Sequence, residues 1–305
     1  MSALDVAQAF RPASERGAEA LRHMGEGMRG IILAAGKGSR LNGTLGDKPK
    51  CLLRVGDRTL AERQIDSLRA VGIDDIAVVV GCQAERVRRT CGHGLIYIEN
   101  TRFAQTNSLY SLWLARPLLL DGFVVMNCDV LFHPQLLEDL VTARHTDALL
   151  MAYSDGPFTD EEMKIKVRRG CVVDIAKTLA PEDTDGENLG IVKFGGDGAR
   201  LLSQVLDERV AGGHLRDWAP RAFGDFARRR PLHVIGTRGF PWTEIDFPED
   251  YERAIHDVLP AIEAEEPTHG SAPTRVADNP LFGRGGPVCP PLAGDAAALP
   301  RAAGE

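Results

Sequence analysis

The stretch Ile31–Leu53, IILAAGKGSRLNGTLGDKPKCLL, begins as a buried strand, turns through Gly36, Gly38 and Gly43, and then threads Lys48, Lys50 and Arg40 through a segment of little helical or strand pattern. Glycines placed directly after a strand let backbone N–H groups approach an anion closely. Two standard phosphate loops fail here. The dinucleotide fingerprint needs glycine at 41, where Leu41 stands, and the Walker pattern needs four residues between its glycines and a hydroxyl residue after lysine. Five residues separate Gly30 from Gly36, and Lys37 is followed by Gly38. What survives is L-A-A-G-x-G-x-R followed by P-K: Leu33, Ala34, Ala35, Gly36, Gly38, Arg40, Pro49 and Lys50. The small alanines would let a flat group lie on the backbone, and Arg40 and Lys50 could bracket a polyphosphate.

Outward from this loop, short apolar runs alternate with amphipathic stretches from Met28 to about Glu263, the pattern of an α/β domain. Strands are expected at 29–34, 75–80, 95–98, 122–128, 147–153, 163–168, 171–175, 189–194 and 232–236. Helices are expected at 59–71, 83–90, 107–117, 134–145, 197–209, 218–229 and 248–263. Thr59 can cap the first helix, and Pro134 and Pro248 sit where a first turn accepts proline. The first half reads as βαβ units on a mostly parallel sheet, and the strand-rich middle, 147–194, as added antiparallel strands or an insertion. Three segments follow: an N-terminal extension (1–28), the α/β domain (29–263) and a tail (264–305) that holds seven of the eighteen prolines and reads as disordered.

The 305 residues are 44% apolar and 26% charged, ordinary for a globular protein. A net charge of −7 gives no bulk attraction for nucleic acid or anionic membrane, so phosphate recognition must be local. The longest apolar runs fall short of the about 20 residues a membrane span requires, and no signal-peptide block opens the chain, which predicts a cytoplasmic protein. The six cysteines have no zinc-clasping spacing and read as small core residues rather than a disulfide framework.

The segment LAAGKGSR…KPKCLLRVGDRTLAERQIDSL resembles the nucleotidyltransferases that couple an NTP to a phosphorylated small molecule. Further motifs in the same order, NTRFAQTNSLYSLWLA, VVMNCDVLFHPQLLEDLV, EEMKIKV, GENLGIVKF and WTEIDFPEDYERA, are similar to the branch holding bacterial phosphocholine and phosphonate cytidylyltransferases. The resemblance implies a three-layer αβα, Rossmann-like fold with a mixed sheet. It also implies transfer of CMP from CTP to a small phosphorylated or phosphonate acceptor, with release of pyrophosphate. An acceptor phosphate is already ionised near neutral pH, its second pKa being about 6, so no general base is needed, and none is visible in the sequence. Catalysis then rests on positioning and charge neutralisation.

By the same resemblance Arg40 would contact the departing phosphates and Lys50 the α-phosphate. Asp129, at the end of the apolar run GFVVMNCD, and Asp246 would together hold Mg²⁺, with Glu244 as an alternative ligand. One of Lys164 and Lys166, which alternate along EEMKIKV, or Lys177 could receive the acceptor's phosphate, and the family pattern favours Lys164 and Lys177. Asn107, Ser108 and Ser111 could read a pyrimidine edge, and Gln83 could approach the base or ribose. Tyr110 and Trp113 read as core. Trp218, Phe223, Phe226 and Trp242 are too scattered to argue for an aromatic cage around a choline-type acceptor. The competing readings are a sugar-1-phosphate nucleotidyltransferase using UTP, GTP or dTTP and, further off, a nucleotide-sugar glycosyltransferase, whose D-x-D motif is missing at CDVL. The two chain ends could serve a homo-oligomer or a partner.

Overall fold

The structure, a computed structural model, describes residues 27–38, 40–41, 48–119, 121–153 and 158–265. The expected leader up to residue 26, Gly43 and the proline-rich tail from 266 onward lie outside the described residues. Thirteen strands are described: β1 (Arg29–Ala34), β2 (Arg54–Val55), β3 (Arg58–Thr59), β4 (Ile76–Val80), β5 (Ile96–Glu99), β6 (Gly122–Asn127), β7 (Val130–Phe132), β8 (Ala148–Ala152), β9 (Lys164–Arg168), β10 (Cys171–Ala176), β11 (Gly186–Gly195), β12 (His233–Gly236) and β13 (Trp242–Glu244). The α-helices are α1 (Leu60–Ala70), α2 (Ala84–Cys91), α3 (Ser108–Ala115), α4 (Pro134–Thr142), α5 (Gly196–Ala211), α6 (Ala219–Ala227), α7 (Pro248–Arg253) and α8 (Leu259–Glu265).

Nine strands form one sheet in the order β5-β4-β1-β6-β11-β8-β12-β10-β9. It is parallel from β5 to β6, where β1 is flanked on both sides and therefore apolar throughout its buried length. Around β11 it turns antiparallel, as the strand-rich middle predicts. Helices cover both faces. One core joins Ile32, Val78, Val124 and Met126 to Ile65 and Leu68 of α1 and Leu136 and Leu140 of α4. The other joins Leu33, Val79, Phe123 and Val125 to Leu112 of α3, Leu206 of α5 and Phe226 of α6. The expected three-layer αβα architecture is what these two cores make.

Local chemistry starts the helices where the sequence places them. Thr59 Oγ1 accepts from Glu62 N at 3.2 Å while Glu62 Oε2 accepts from Thr59 N at 2.7 Å, a closed capping box. Pro134 occupies the first turn of α4, whose Gln135 N donates to the His133 ring at 3.1 Å. A third, smaller core packs Leu41, Leu53 and Val55 against Leu131, Ile245, Val258, Leu259 and Ile262. It binds the segment after the glycine loop to the last helices. Among the described residues Cys51, Cys82, Cys91 and Cys128 are free thiols, with Cys51 and Cys128 buried, while Cys289 lies outside the described residues. Among the described residues no helix is long and apolar enough to cross a membrane.

Candidate active site

The chain runs from β1 outward to β4 and β5 and then returns to place β6 on β1's other side, so the strand order reverses between β1 and β6. Open α/β sheets bind ligands at the carboxyl ends of strands at such a point. A cleft of about 290 Å³ lies there. Leu33, Ala35, Gly36, Gly38, Arg40, Lys50, Asn107, Ser108, Ser111, Asp129, Lys177 and Asp246 all line it, so the structure brings together twelve of the fifteen residues expected at a site.

The other three go elsewhere. Ala34 alternates with Leu33 along β1, and its side chain is buried in the opposite core. Gln83, at φ 51°, lines a separate surface cavity with Arg86 and Arg88. Lys164 is only 2% exposed and spends its ammonium on the Lys177 carbonyl, at 2.9 Å, instead of reaching the cleft.

A backbone ladder builds the acidic centre. β13 pairs antiparallel with β7, setting Glu244 opposite Val130, and Ile245 N donates to Asp129 O at 2.9 Å. Residues far apart in sequence thereby become neighbours. Ligand oxygens of Asp129, Glu244 and Asp246 all lie within 4.8 Å of one another. Gln64 of α1 steadies the turn below them, donating through Nε2 to Asn127 O at 2.8 Å and Val130 O at 3.0 Å. Asp250, not Asp246, takes the following helix terminus, accepting from Asp246 N at 3.0 Å and Phe247 N at 2.9 Å.

Lys50 reaches into this centre from the 3₁₀ turn Lys50–Leu52. Its Nζ donates to Asp129 Oδ2 at 3.2 Å and also to Asp246 Oδ1. Burial works against the ammonium, but the two carboxylates outweigh it and hold Lys50 above the usual lysine range. Gly38, at φ +62°, makes room for the lysine stem, since a Cβ there would stand 2.9 Å from Lys50 Cγ. Arg40 donates to Glu161 at 3.0 Å and to Asp246 at 3.5 Å, and its guanidinium lies 5.0 Å from the Phe247 ring centroid. Burial first, then the like charges of Asp129 and Asp246, push the Glu244 carboxyl well above the ordinary carboxylate range.

These carboxylates fit a hard divalent cation. All the donors are oxygens, and Asp129 Oδ1 is buried with no hydrogen-bond partner among the described residues. Two carboxylates leave coordination positions open for phosphate oxygens and water, as Mg²⁺ prefers.

The α3 side of the cleft is a hydrogen-bonded scaffold. Asn107 Oδ1 caps the helix, accepting from Ser108 N at 2.8 Å, and Ser108 Oγ accepts from Ala219 N at 2.9 Å. Asn100 Nδ2 donates to Ser111 Oγ and Thr106 Oγ1, each at 3.1 Å. Asn100, Phe103, Thr106, Asn127, Glu161, Met163, Asn188 and Pro220 also line the cleft and were missed in the sequence. The motifs NTRFAQTNS and GENLG contain several of them, but no spacing marks which side chains turn inward. Trp218, 45% exposed, lines the cleft with Lys177 Nζ 5.3 Å from its ring centroid. Phe223 and Phe226 are core, so no cage forms from these aromatics. Tyr110 and Trp113 stack on each other at 5.2 Å and do not line the cleft.

Comparison with known proteins gives the same family. The sequence profile of the MobA-like NTP transferase domain matches residues 30–230. A CMP-5'-(3-aminopropyl)phosphonate synthase of Streptomyces rubellomurinus is 28% identical over 270 residues, 80% of this chain, which spans 41% of that protein's length. A choline-phosphate cytidylyltransferase of Streptococcus pneumoniae is 25% identical over 244 residues, covering 76% of this chain and 98% of its own. The solved structure of the CTP:phosphocholine cytidylyltransferase from Streptococcus pneumoniae superposes with a TM-score of 0.62 at 25% identity, over 74% of this chain and 96% of the other.

Proposed function

The chain belongs to the MobA-like NTP transferase domain family, and from that premise we propose that it transfers CMP from CTP to a small phosphate or phosphonate acceptor. The observation that carries the reading is the meeting of Lys50 with Asp129 and Asp246 at the strand-order reversal, below the Gly36–Gly38 loop. The relatives' names, which carry CMP or cytidylyl transfer to phosphonate and phosphocholine, support cytidine as the nucleoside. Residues 29–263 are taken as the catalytic unit.

In this reading an acceptor oxygen forms a bond to the α-phosphorus while the bond from that phosphorus to the bridging oxygen breaks, and pyrophosphate leaves with the electron pair. Lys50 neutralises charge on the α-phosphate as that bond lengthens, and Arg40 receives the departing phosphates. Lys177 draws the acceptor's anionic group into line. Leu33, Ala35, Gly36 and Gly38 offer backbone to the nucleotide, and Asn107, Ser108 and Ser111, held by their capping and cross-links, orient the base. Asp129 and Asp246, with Glu244 beside them, would hold Mg²⁺, which when bound supplies Lewis-acid stabilisation of phosphate oxygens.

The test is pyrophosphate release with Mg²⁺, crossing CTP, UTP, GTP, ATP and dTTP against phosphocholine, 2-aminoethylphosphonate, 2-hydroxyethylphosphonate, inositol phosphate and hexose 1-phosphates. Release with CTP and one of the first four acceptors is expected. Release only with a hexose 1-phosphate would move the chain to sugar-nucleotide synthesis.

A further inference from the structure

The two cations assigned to the triphosphate rest on the carboxylates assigned to the metal. Lys50 Nζ bonds Asp129 Oδ2 and Asp246 Oδ1, and Arg40 lies 3.5 Å from Asp246 Oδ2. An ammonium is a donor that occupies oxygen lone pairs. A divalent cation needs those same lone pairs, at about 2.0–2.1 Å for Mg²⁺. Two positive charges cannot share Asp129 Oδ2 and Asp246 Oδ1 at that range without strong repulsion in a partly buried site. The Lys50 stem, meanwhile, runs beside Gly38, where the missing side chain leaves its Cγ open to the glycine loop.

We infer that Lys50 fills the cation site of the free protein and must leave Asp129 and Asp246 for the nucleotide's phosphates before a divalent cation can take both carboxylates. Lys50 is thus the link that makes metal and nucleotide bind cooperatively. The triphosphate draws the ammonium away and clears the carboxylates, and by thermodynamic reciprocity a cation on those carboxylates favours nucleotide binding by the same factor. Arg40, bridging Glu161 and Asp246, repeats the arrangement more weakly because it is more exposed. The inference rests on the reading of Asp129 and Asp246 as metal ligands.

The test needs no turnover. Mn²⁺ binding to the full chain is measured by the electron paramagnetic resonance of the free ion, with no acceptor present, for the wild type, Lys50→Met and Lys50→Arg, each with and without CTP. Methionine keeps the stem and removes the charge; arginine keeps the charge. Without CTP, Lys50→Met should bind Mn²⁺ about tenfold more tightly than the wild type, within the usual range of coupling between sites, and Lys50→Arg should stay close to the wild type. CTP should tighten Mn²⁺ binding to the wild type beyond the affinity of CTP alone for Mn²⁺, and this gain should shrink in Lys50→Met. Equal or weaker Mn²⁺ binding by Lys50→Met overturns the inference. If that variant does not fold, the wild type decides alone, and absence of any CTP-dependent gain overturns it. Mn²⁺ binding to none of the proteins, even with CTP, overturns the metal reading itself, an outcome distinct from a failed exchange at Lys50.

Discussion

Lys164 stands opposite Ala176 in the β9–β10 ladder and, only 2% exposed, donates through Nζ to the carbonyl of the next residue, Lys177, at 2.9 Å. If Lys177 meets the acceptor as proposed, Lys164 is expected to act through it by holding its backbone in place. Lys164→Met should cost about 1–3 kcal/mol of stability by leaving that carbonyl unpaired. It should raise KM for the acceptor while leaving KM for CTP near the wild-type value. Steady-state kinetics with each substrate varied in turn would check this, and equal changes in both constants would refute the positioning role.

Gly190 and Asn127 compete for one space. A Cβ on Gly190, whose φ is +77°, would stand 2.6 Å from Asn127 Nδ2, which lines the cleft two residues before Asp129. Gly190→Ala should destabilise the protein by about 1–2 kcal/mol from backbone handedness alone, with a further loss from displacing the amide. Pairing it with Asn127→Ala should recover part of the loss, so that the double-mutant cycle is non-additive. Denaturant melts of the four proteins measure the coupling, and strict additivity would rule out the shared space.

Gln64 ties α1 to both carbonyls that bracket Asp129. Gln64→Leu removes two buried hydrogen bonds while keeping the volume, and should cost about 1–3 kcal/mol for each acceptor left unpaired. Because that turn carries a carboxylate read as a metal ligand, the Mg²⁺ concentration for half-maximal activity should rise as well. A variant that melts early but keeps its Mg²⁺ dependence would confine Gln64 to stability.

Burial, then the nearby Glu162 carboxylate, against partial relief from Arg253, pushes the Glu187 carboxyl up to about 7 from an ordinary 4.5. The folded chain therefore holds a proton that the unfolded chain has released. The sign follows: Glu187 contributes its full stability below about pH 4.5 and loses it as pH rises through about 7. Glu187→Gln cannot titrate, so its melting temperature should exceed that of the wild type at pH 8 and lose the advantage by pH 4.5. Parallel melting curves at both pH values would contradict this.

The apolar run of β1 and the Thr59 cap could be read directly because each is a local pattern, continuous burial between two parallel neighbours and a hydroxyl at a helix start; the Glu62 half of the box came only with the structure. Lys50 and Asp129 could be read because both stand where a strand or its loop ends. The family pattern points to Lys164 and the strand ends to Ala34 and Gln83, but no such pattern gives side-chain direction: Ala34 points into the opposite core, Gln83 lines another cavity and the Lys164 ammonium goes to the Lys177 carbonyl. The ribbon of β7 and β13 has no signature in the sequence, since each strand has only three residues and its partner, as in Val130 and Glu244, lies far along the chain. Glu161 and Asn100 lie in loops distant in sequence, and only the folded chain brings both to the cleft.

That three-residue ribbon has a consequence for how such a protein can diversify. The spacing of Asp129 and Asp246 is fixed by main-chain pairing, which substitutions of neighbouring side chains leave in register. The segments that bring Glu161, Met163 and Trp218 to the cleft lie outside it. Substitutions in those walls would reshape the cleft and leave the spacing of the two carboxylates inherited as it is.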